Sequence, residues 1–445
     1  MATRSFAPKL FPRRFPERKC AAGLLGIIRH PDDMIPSLRS YLQSLGPFRV
    51  RTPLPKVIPG KVVLIRMDMI GDQVIFGGFI EEMAKAWPKT KIALVGRDNQ
   101  QDIYQNCPWL AEYIPVDAHN SKSRTAAYRR IRQFKPDWIV NPMACRSLFS
   151  DRIMRYCYAP VRVGWKAPPH EQDYHRRLAF DKFYTHQFPQ PDWPVWLLER
   201  EKNRLLLEHL GIQAEETPPL VWTSEEDVRF ARDSYEGAGF RPEETAVCFL
   251  GASTSIKTAP HLKSYLARLS QEFNLNILMV GSERDRESSD VPPEVSAEKW
   301  RNLCGRTTVL QTAELMRAAR IVIGVDSGPA HLAAAVQTPH VIAMHGMHFG
   351  RFLPANAFSS VIINPLSCYL CAGNCRFDHI YCLSSLPYEL FHQAVSDALQ
   401  KTSERARIYR PGGAFLNRIR PEVQPRWDPG WINPAASELI TIEVD

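Results

Sequence analysis

The sequence predicts an α/β protein of two doubly wound, parallel-sheet domains facing each other across a cleft. Three observations predict it. Short continuous apolar runs such as VVLIR (62–66) and IVIGV (321–325) are the kind buried on both faces of a parallel sheet. Helix-length segments alternate with them at the spacing of strand–helix–strand units. The alternation occurs twice, on either side of residues 215–240, and 445 residues at roughly 150 per domain suit two or three domains. No period of 20–50 residues recurs, which excludes a repeat array.

The elements follow in order. Strand VVLIR after Lys61 runs into a turn at Ile70-Gly71-Asp72, then a helix to Trp87 closed by Pro88. KIALVG (91–96) is a second strand, 99–106 is helical, and EYIPV (112–116) is a third strand. A basic helix over 123–134, strand DWIVN (137–141) and a helix over 148–158 complete the first unit. Residues 166–194, rich in His, Pro and aromatics, read as a long loop before a helix over 196–210 that Gly211 ends. The second unit has strands AVCFLGA (246–252), ILMVG (277–281), IVIGVD (321–326) and HVIAMHG (340–346), and a helix over 388–399. These are Rossmann-like halves, so ligands belong at the carboxyl ends of strands that face the cleft. The expected division is a basic arm (1–55), an N-terminal domain (56–225), a C-terminal domain (226–400) and a tail (401–445).

Composition excludes several classes. With 44% hydrophobic and 23% charged residues, the chain is neither wholly disordered, collagenous nor a long coiled coil. The 36 prolines outnumber the 23 glycines, so rigid turns are expected. The longest near-continuous apolar run, 20–28, falls short of the ~20 residues of a membrane span. With no clear signal-peptide pattern, a cytoplasmic location is expected, and ten cysteines are too few for a disulfide scaffold. Residues 1–55 hold ten Lys/Arg against three acids, which is most of the net charge of +9. Such an arm is either a solvated extension or a contact for an anionic partner. Its alternation of Phe and Leu with Arg (LFPRRFPERK) suits an anionic membrane surface.

Five segments carry chemistry. In IRMDMIGDQVIFGGF (65–79) a strand meets Gly71 and Asp72, where a carboxylate acts either as a helix cap or as a general base. FLGASTSIKTAP (249–260) sets Ser253, Thr254 and Lys257 between a strand and a helix. Small residues there expose backbone N–H groups to an anion, and Lys257 adds a point charge, unless it is simply solvated. GVDSGPAHLAAAV (324–336) is the most specific: Asp326 ends a strand, Ser327-Gly328 turn, Pro329 opens a helix and His331 lies in its first turn. VGSERDRE (280–287) offers Glu283 to ribose hydroxyls, or merely to a helix start. Cys368, Cys371, Cys375 and Cys382 fall within fifteen residues, a set that either wraps a structural zinc or iron or stays as thiols. No Asp-x-Asp, Gly-x-Gly-x-x-Gly after a strand or Gly-x-Ser-x-Gly occurs.

Taken together, IRMDMIGDQV, QNCPWLAEYIPVD (105–117), GASTSIKTAP, VDSGPAHLAAA and the cysteine stretch CYLCAGNCRFDHIYCLSSL resemble the heptosyltransferase family, glycosyltransferase family nine. The resemblance spans about 61–400 and implies the GT-B architecture, with an acceptor domain followed by a nucleotide-sugar domain. It implies inverting transfer of heptose from an ADP-activated donor to a lipopolysaccharide core, needing no cofactor for catalysis. Asp72 is then the base. Ser253, Thr254, Lys257, Glu283, Asp326, Ser327, Gly328 and His331 bind the donor. Gln73 and Ile75-Phe76 depart from the small or hydroxyl residues usual after the family's Gly-Asp. The expected partners are a nucleotide sugar, an anionic glycolipid acceptor and, through the arm, a membrane surface, but no nucleic acid. Other donors, a protein acceptor, a nucleotide-sugar epimerase and a non-catalytic binding protein are the competing readings.

Overall fold

The structure is a computed structural model describing residues 54–167, 178–189, 191, 197–251, 257–347, 350–353, 356–366, 368, 369, 371, 375, 377, 380–400, 405–412 and 439–444. The arm before residue 54 and most of the tail (413–438) lie outside the described residues.

Two all-parallel sheets form the molecule. The first has β1 (Lys61–Ile65), β2 (Lys91–Arg97), β3 (Leu110–Val116), β4 (Trp138–Asn141), β5 (Val161–Trp165) and β6 (His186–Phe188) in the order β3-β2-β1-β4-β5-β6. Val62 to Ile65 have no exposed surface, as expected for a strand covered on both faces. Helix α1 (Ile70–Ala86) follows β1 after four residues, and Ile70-Gly71 form its first turn and not a preceding loop. Helices α2 (Ser121–Phe134), α3 (Leu148–Tyr156) and α4 (Glu199–His209) complete this layer. Leu206, Leu207 and Leu210 tie α4 into the core on the α1 face of the sheet. The expected loop over 166–194 contains β6, which pairs with β5 through Val163 and His186. Three residues are too few for an alternation to show in the sequence.

The second sheet has β7 (Thr245–Phe249), β8 (Asn276–Met279), β9 (Trp300–Asn302), β10 (Ile321–Val325), β11 (His340–Ala343), β12 (Ser359–Ile362), β13 (Arg407–Pro411) and β14 (Ile440–Val444), in the order β14-β13-β12-β11-β10-β7-β8-β9. Its helices include α5 (Glu225–Ala238), α6 (Leu262–Glu272), α7 (Val309–Ala318), α8 (Gly328–Ala335) and α9 (Tyr388–Gln400). The segment expected as a tail supplies β13 and β14, so part of it belongs to the second domain. Ile408 and Tyr409 sit in that domain's core.

Both sheets reverse their strand order beside a motif. In the first the switch lies between β1 and β4, and in the second between β10 and β7. Crevices at the carboxyl ends of strands open at such switch points. The stretch after β1 carries Asp72, the one after β7 carries Lys257 and the one after β10 carries Asp326.

Candidate active site

The two motifs that sequence reading singled out most strongly meet across the domain boundary. A Cβ placed on Gly71 would lie 2.6 Å from His331 Cδ2, and one on Gly328 would lie 3.3 Å from Ile70 Cβ. The amino-terminal turns of α1 and α8 thus touch, a contact that a Cβ at 71 would obstruct and one at 328 would crowd. Gly71 serves this close approach; its backbone is ordinary right-handed helix, not a strained turn.

Asp72 occupies the third position of α1, where Oδ2 accepts the Met69 backbone N–H at 3.2 Å. Capping is therefore a real part of its work. Its other oxygen, Oδ1, lies 3.5 Å from Arg66 Nη2, and the side chain stays 14% exposed. Burial holds the Asp72 carboxyl above its ordinary range, with Arg66 opposing, Glu199 adding and Arg351 opposing. Asp68, 3.1 Å from Arg66 Nε, is likewise raised, to about 6, chiefly by burial. Such a carboxyl is poised nearer neutrality than a surface aspartate, as a general base requires.

On the second domain, buried Asp326 is the centre of the polar groups. Lys257 Nζ is 3.7 Å and His345 Nε2 3.0 Å from its Oδ2. His345 Nδ1 accepts the Met347 N–H at 3.0 Å, which puts the ring proton on Nε2, facing Asp326. Burial lowers the His345 pKa, and it drives His331 down to about 4, so both rings are neutral at pH 7. Ser327 is the N-cap of α8, and its Oγ is buried with no hydrogen-bond partner among the described residues. A buried, unsatisfied hydroxyl at a helix amino terminus is suited to an anionic oxygen.

Not every expected residue joins this group. Ser253 and Thr254 lie outside the described residues. Glu283 sits in a short helical turn, where its carboxylate pairs with Arg286 Nη2 at 2.7 Å. Its neighbour Asp285 is the acid packed against Gly251, at the start of the Lys257 loop. Sequence reading missed His345, Arg66, Glu199 and Arg351. His345 had a usable signal: it follows β11, the strand next to β10, on the carboxyl side where ligands bind. Glu199 and Arg351 had none, since they are 152 residues apart.

The four cysteines line one cavity of about 20 Å³, with His345, Gly346 and Met347 also on its wall. Burial pushes the Cys382 thiol up to about 12, and the other three sulfurs push the same way. Among the described residues, no three His, Cys, Asp or Glu side chains are drawn into a metal-holding group.

Comparison with known proteins fixes the family. The family model "Glycosyltransferase family 9 (heptosyltransferase)" matches residues 144–380, more than half of the chain. The chain belongs to glycosyltransferase family 9. This family 9 enzyme is similar to lipopolysaccharide heptosyltransferase 2 of Salmonella typhimurium, at 21% identity over 69% of this chain and 89% of the relative. Lipopolysaccharide heptosyltransferase 3 of Escherichia coli is 26% identical over 63% and 82%. Among solved structures, a glycosyl transferase family 9 protein from Veillonella parvula superposes with a TM-score of 0.65 at 19% identity, covering 77% of this chain and 98% of that one. The ADP-heptose lps heptosyltransferase II of Escherichia coli gives 0.55 at 16%, covering 77% and 99%. The fold is shared with both. Membership makes the protein a glycosyltransferase, which decides against the epimerase and the non-catalytic readings. The family match includes Lys257, Asp326 and His331 and starts after Asp72.

Proposed function

We propose that this family 9 transferase moves a heptose, with inversion, from ADP-heptose to the inner core of a lipopolysaccharide or a similar glycan. The observation that carries the reading is the contact of the Gly71-Asp72 turn with the Ser327–His331 turn across the domain boundary. It brings the turn that carries a partly exposed carboxylate against the turn that opens α8, beside which Lys257 lies on Asp326, and base-assisted displacement of a diphosphate needs such a carboxylate and such donors together. The heptosyltransferase names of the similar proteins agree with it.

In this mechanism an acceptor hydroxyl oxygen attacks the anomeric carbon while Asp72 takes the hydroxyl proton. The bond from the anomeric carbon to the diphosphate oxygen breaks, and ADP leaves with the electron pair. Lys257, the Ser327 Oγ and the Ser327-Gly328 amides face the charge that develops. Asp326 holds Lys257 in place, and His345 holds Asp326. Contact of the two domains excludes water that would otherwise hydrolyse the donor.

Calorimetric titration with ADP-heptose beside UDP- and GDP-sugars tests the donor. Selective ADP-heptose binding, weakened by Lys257→Ala, is the expected result; preference for a UDP- or GDP-sugar discards heptose. The basic arm is proposed to hold the enzyme on an anionic membrane face. Deleting 1–55 is then expected to weaken binding to anionic vesicles, most visibly at low salt. Among the described residues no helix is long and apolar enough to cross a membrane.

The cysteine pocket is proposed to hold one structural zinc or iron. Support for the reading is that all four cysteines line one small cavity; they are not gathered into a coordination set, so the ion would have to draw the thiolates together. Such an ion would cross-link the segment over 368–382 and take no part in transfer.

A further inference from the structure

Arg66 follows β1 and is fully buried, its guanidinium 5.1 Å over the Phe76 ring. Its Nη2 reaches Asp72 Oδ1 at 3.5 Å and Glu199 Oε1 at 3.2 Å. Glu199 opens α4, a helix built into the first domain's core. Its second oxygen receives Lys202 Nζ at 2.8 Å and Arg351 Nε at 3.0 Å. Arg351 comes from the second domain, in the loop after β11, two residues before Leu353 in that domain's core. Its carbonyl accepts the Glu199 backbone N–H at 2.8 Å, and its Nη1 lies 3.4 Å from Cys145 Sγ in the loop after β4. Three contacts therefore fasten one residue of the second domain to two segments of the first.

We infer that Glu199 and Arg351 form a clasp between the domains that positions Arg66 on Asp72, with the Arg351 cation balancing the buried charge beside the base while the domains are engaged. The inference rests on the reading of Asp72 as the base.

Charge balance gives the physical reason. Arg66, Lys202 and Arg351 oppose Asp68, Asp72 and Glu199, three cations against three carboxylates. Tyr104, which donates to the Gln73 carbonyl at 2.9 Å, and His331 against Gly71 are uncharged at pH 7, and the Lys257–Asp326 ion pair behind His331 adds no net charge. Without the Arg351 cation, the buried cluster of the engaged domains carries one excess negative charge. Uncompensated buried charge is expensive, and the carboxyls already raised are the ones to take up a proton. Asp72 is one of them. The clasp borders an interdomain cavity of about 310 Å³ walled by Glu199, Arg351, His331 and Phe352. Arg351 thus favours the ionised base against the burial that contact of the domains imposes on it.

The test titrates the Asp72 carboxyl in the full-length protein by carbon-13 resonance with labelled aspartate, Asp72→Asn assigning the signal. Removing the cation with Arg351→Met should raise the midpoint by about one pH unit. Arg351→Lys should keep it near the wild-type value. Glu199→Gln removes an anion and should lower it. An unchanged midpoint in Arg351→Met overturns the clasp. So does movement of Arg351→Met and Glu199→Gln in the same direction, the mark of general loosening. The readout needs no substrate, so it survives failure of the ADP-heptose reading, which absence of transfer from ADP-heptose by the wild type would reveal. Where transfer is seen, the acidic limb of kcat/KM should move up with Arg351→Met while ADP affinity stays within about twofold.

Discussion

A single carboxylate, Asp72, illustrates how one residue serves structure and chemistry together. It caps the first turn of α1 through the Met69 N–H and keeps an edge open to the cleft. Asn preserves the acceptor oxygen and the shape but cannot take a proton at neutral pH. Asp72→Asn is therefore expected to lose at least 10²-fold in kcat with ADP affinity nearly unchanged, checked by a transfer assay and calorimetry. Retained turnover would remove Asp72 from the base role. The pH dependence has a definite sign. A base works ionised, and the Asp72 carboxyl is raised, so kcat/KM should fall on acidification at a pH above the ordinary aspartate value of ~3.9. On the donor side, His345→Ala leaves Asp326 with Lys257 as its remaining close charge partner. That is expected to weaken ADP binding roughly tenfold, about 1.4 kcal/mol.

At the scale of elements, α1 does more than cover its sheet. Gly77 and Gly78 form a bare strip on which the backbone of the interdomain connection lies. A Cβ on Gly77 would be 2.5 Å from the Leu220 carbonyl oxygen, and one on Gly78 would be 2.7 Å from the Thr217 carbonyl carbon. The Leu220 N–H donates to the Val74 carbonyl at 3.0 Å, strapping the connection to the helix. Backbone has no rotamer with which to yield, so Gly78→Val is expected to cost about 1–3 kcal/mol, read as a lowered melting temperature. An unshifted melt would mean that the connection moves aside freely. Helices and long strands were legible because apolar periodicity is local. Strands β5, β6, β9 and β12 to β14 were not, since they are only three to five residues long and polar residues interrupt their apolar runs, as in VRVGW, SSVI and RIYRP. Residues 407–411 and 440–444 look like tail until β12 is beside them.

For the whole molecule, the decisive geometry is the contact of two domains. Gly328→Val would push a branched side chain into Ile70 at the seam. Both domains should stay folded, with an unchanged circular dichroism spectrum, while kcat drops and the radius of gyration by solution scattering rises. Normal turnover would show that the seam is not the working arrangement. Stability toward acid has its own sign. Lys202, Arg351 and Arg66 outweigh burial and hold Glu199 well below the usual carboxylate value. Its stabilising contribution is complete above the unfolded value of about 4.3 and is lost as pH falls toward the depressed folded one. Glu199→Gln should therefore flatten the acid limb of the stability curve, as followed by urea unfolding between about pH 3 and 6. For the cysteine pocket, purified protein should carry close to one zinc or iron by elemental analysis, and a strong chelator should lower the melting temperature. Metal-free protein with the same melt would remove the structural ion.

The sequence alone determined the two-domain α/β class, the family, and the segments around Asp72, Lys257 and Asp326. Each depends on neighbours within one strand–turn–helix unit, and such local patterns are written contiguously in the chain. Tertiary structure alone decided that Gly71 meets His331, that His345 faces Asp326, and that Arg66, Glu199 and Arg351 form one charge-balanced cluster around the base. The physical reason is distance along the chain. A contact such as that of Glu199 with Arg351, 152 residues apart, leaves no periodic or compositional trace and exists only once two separately folded cores are pressed together.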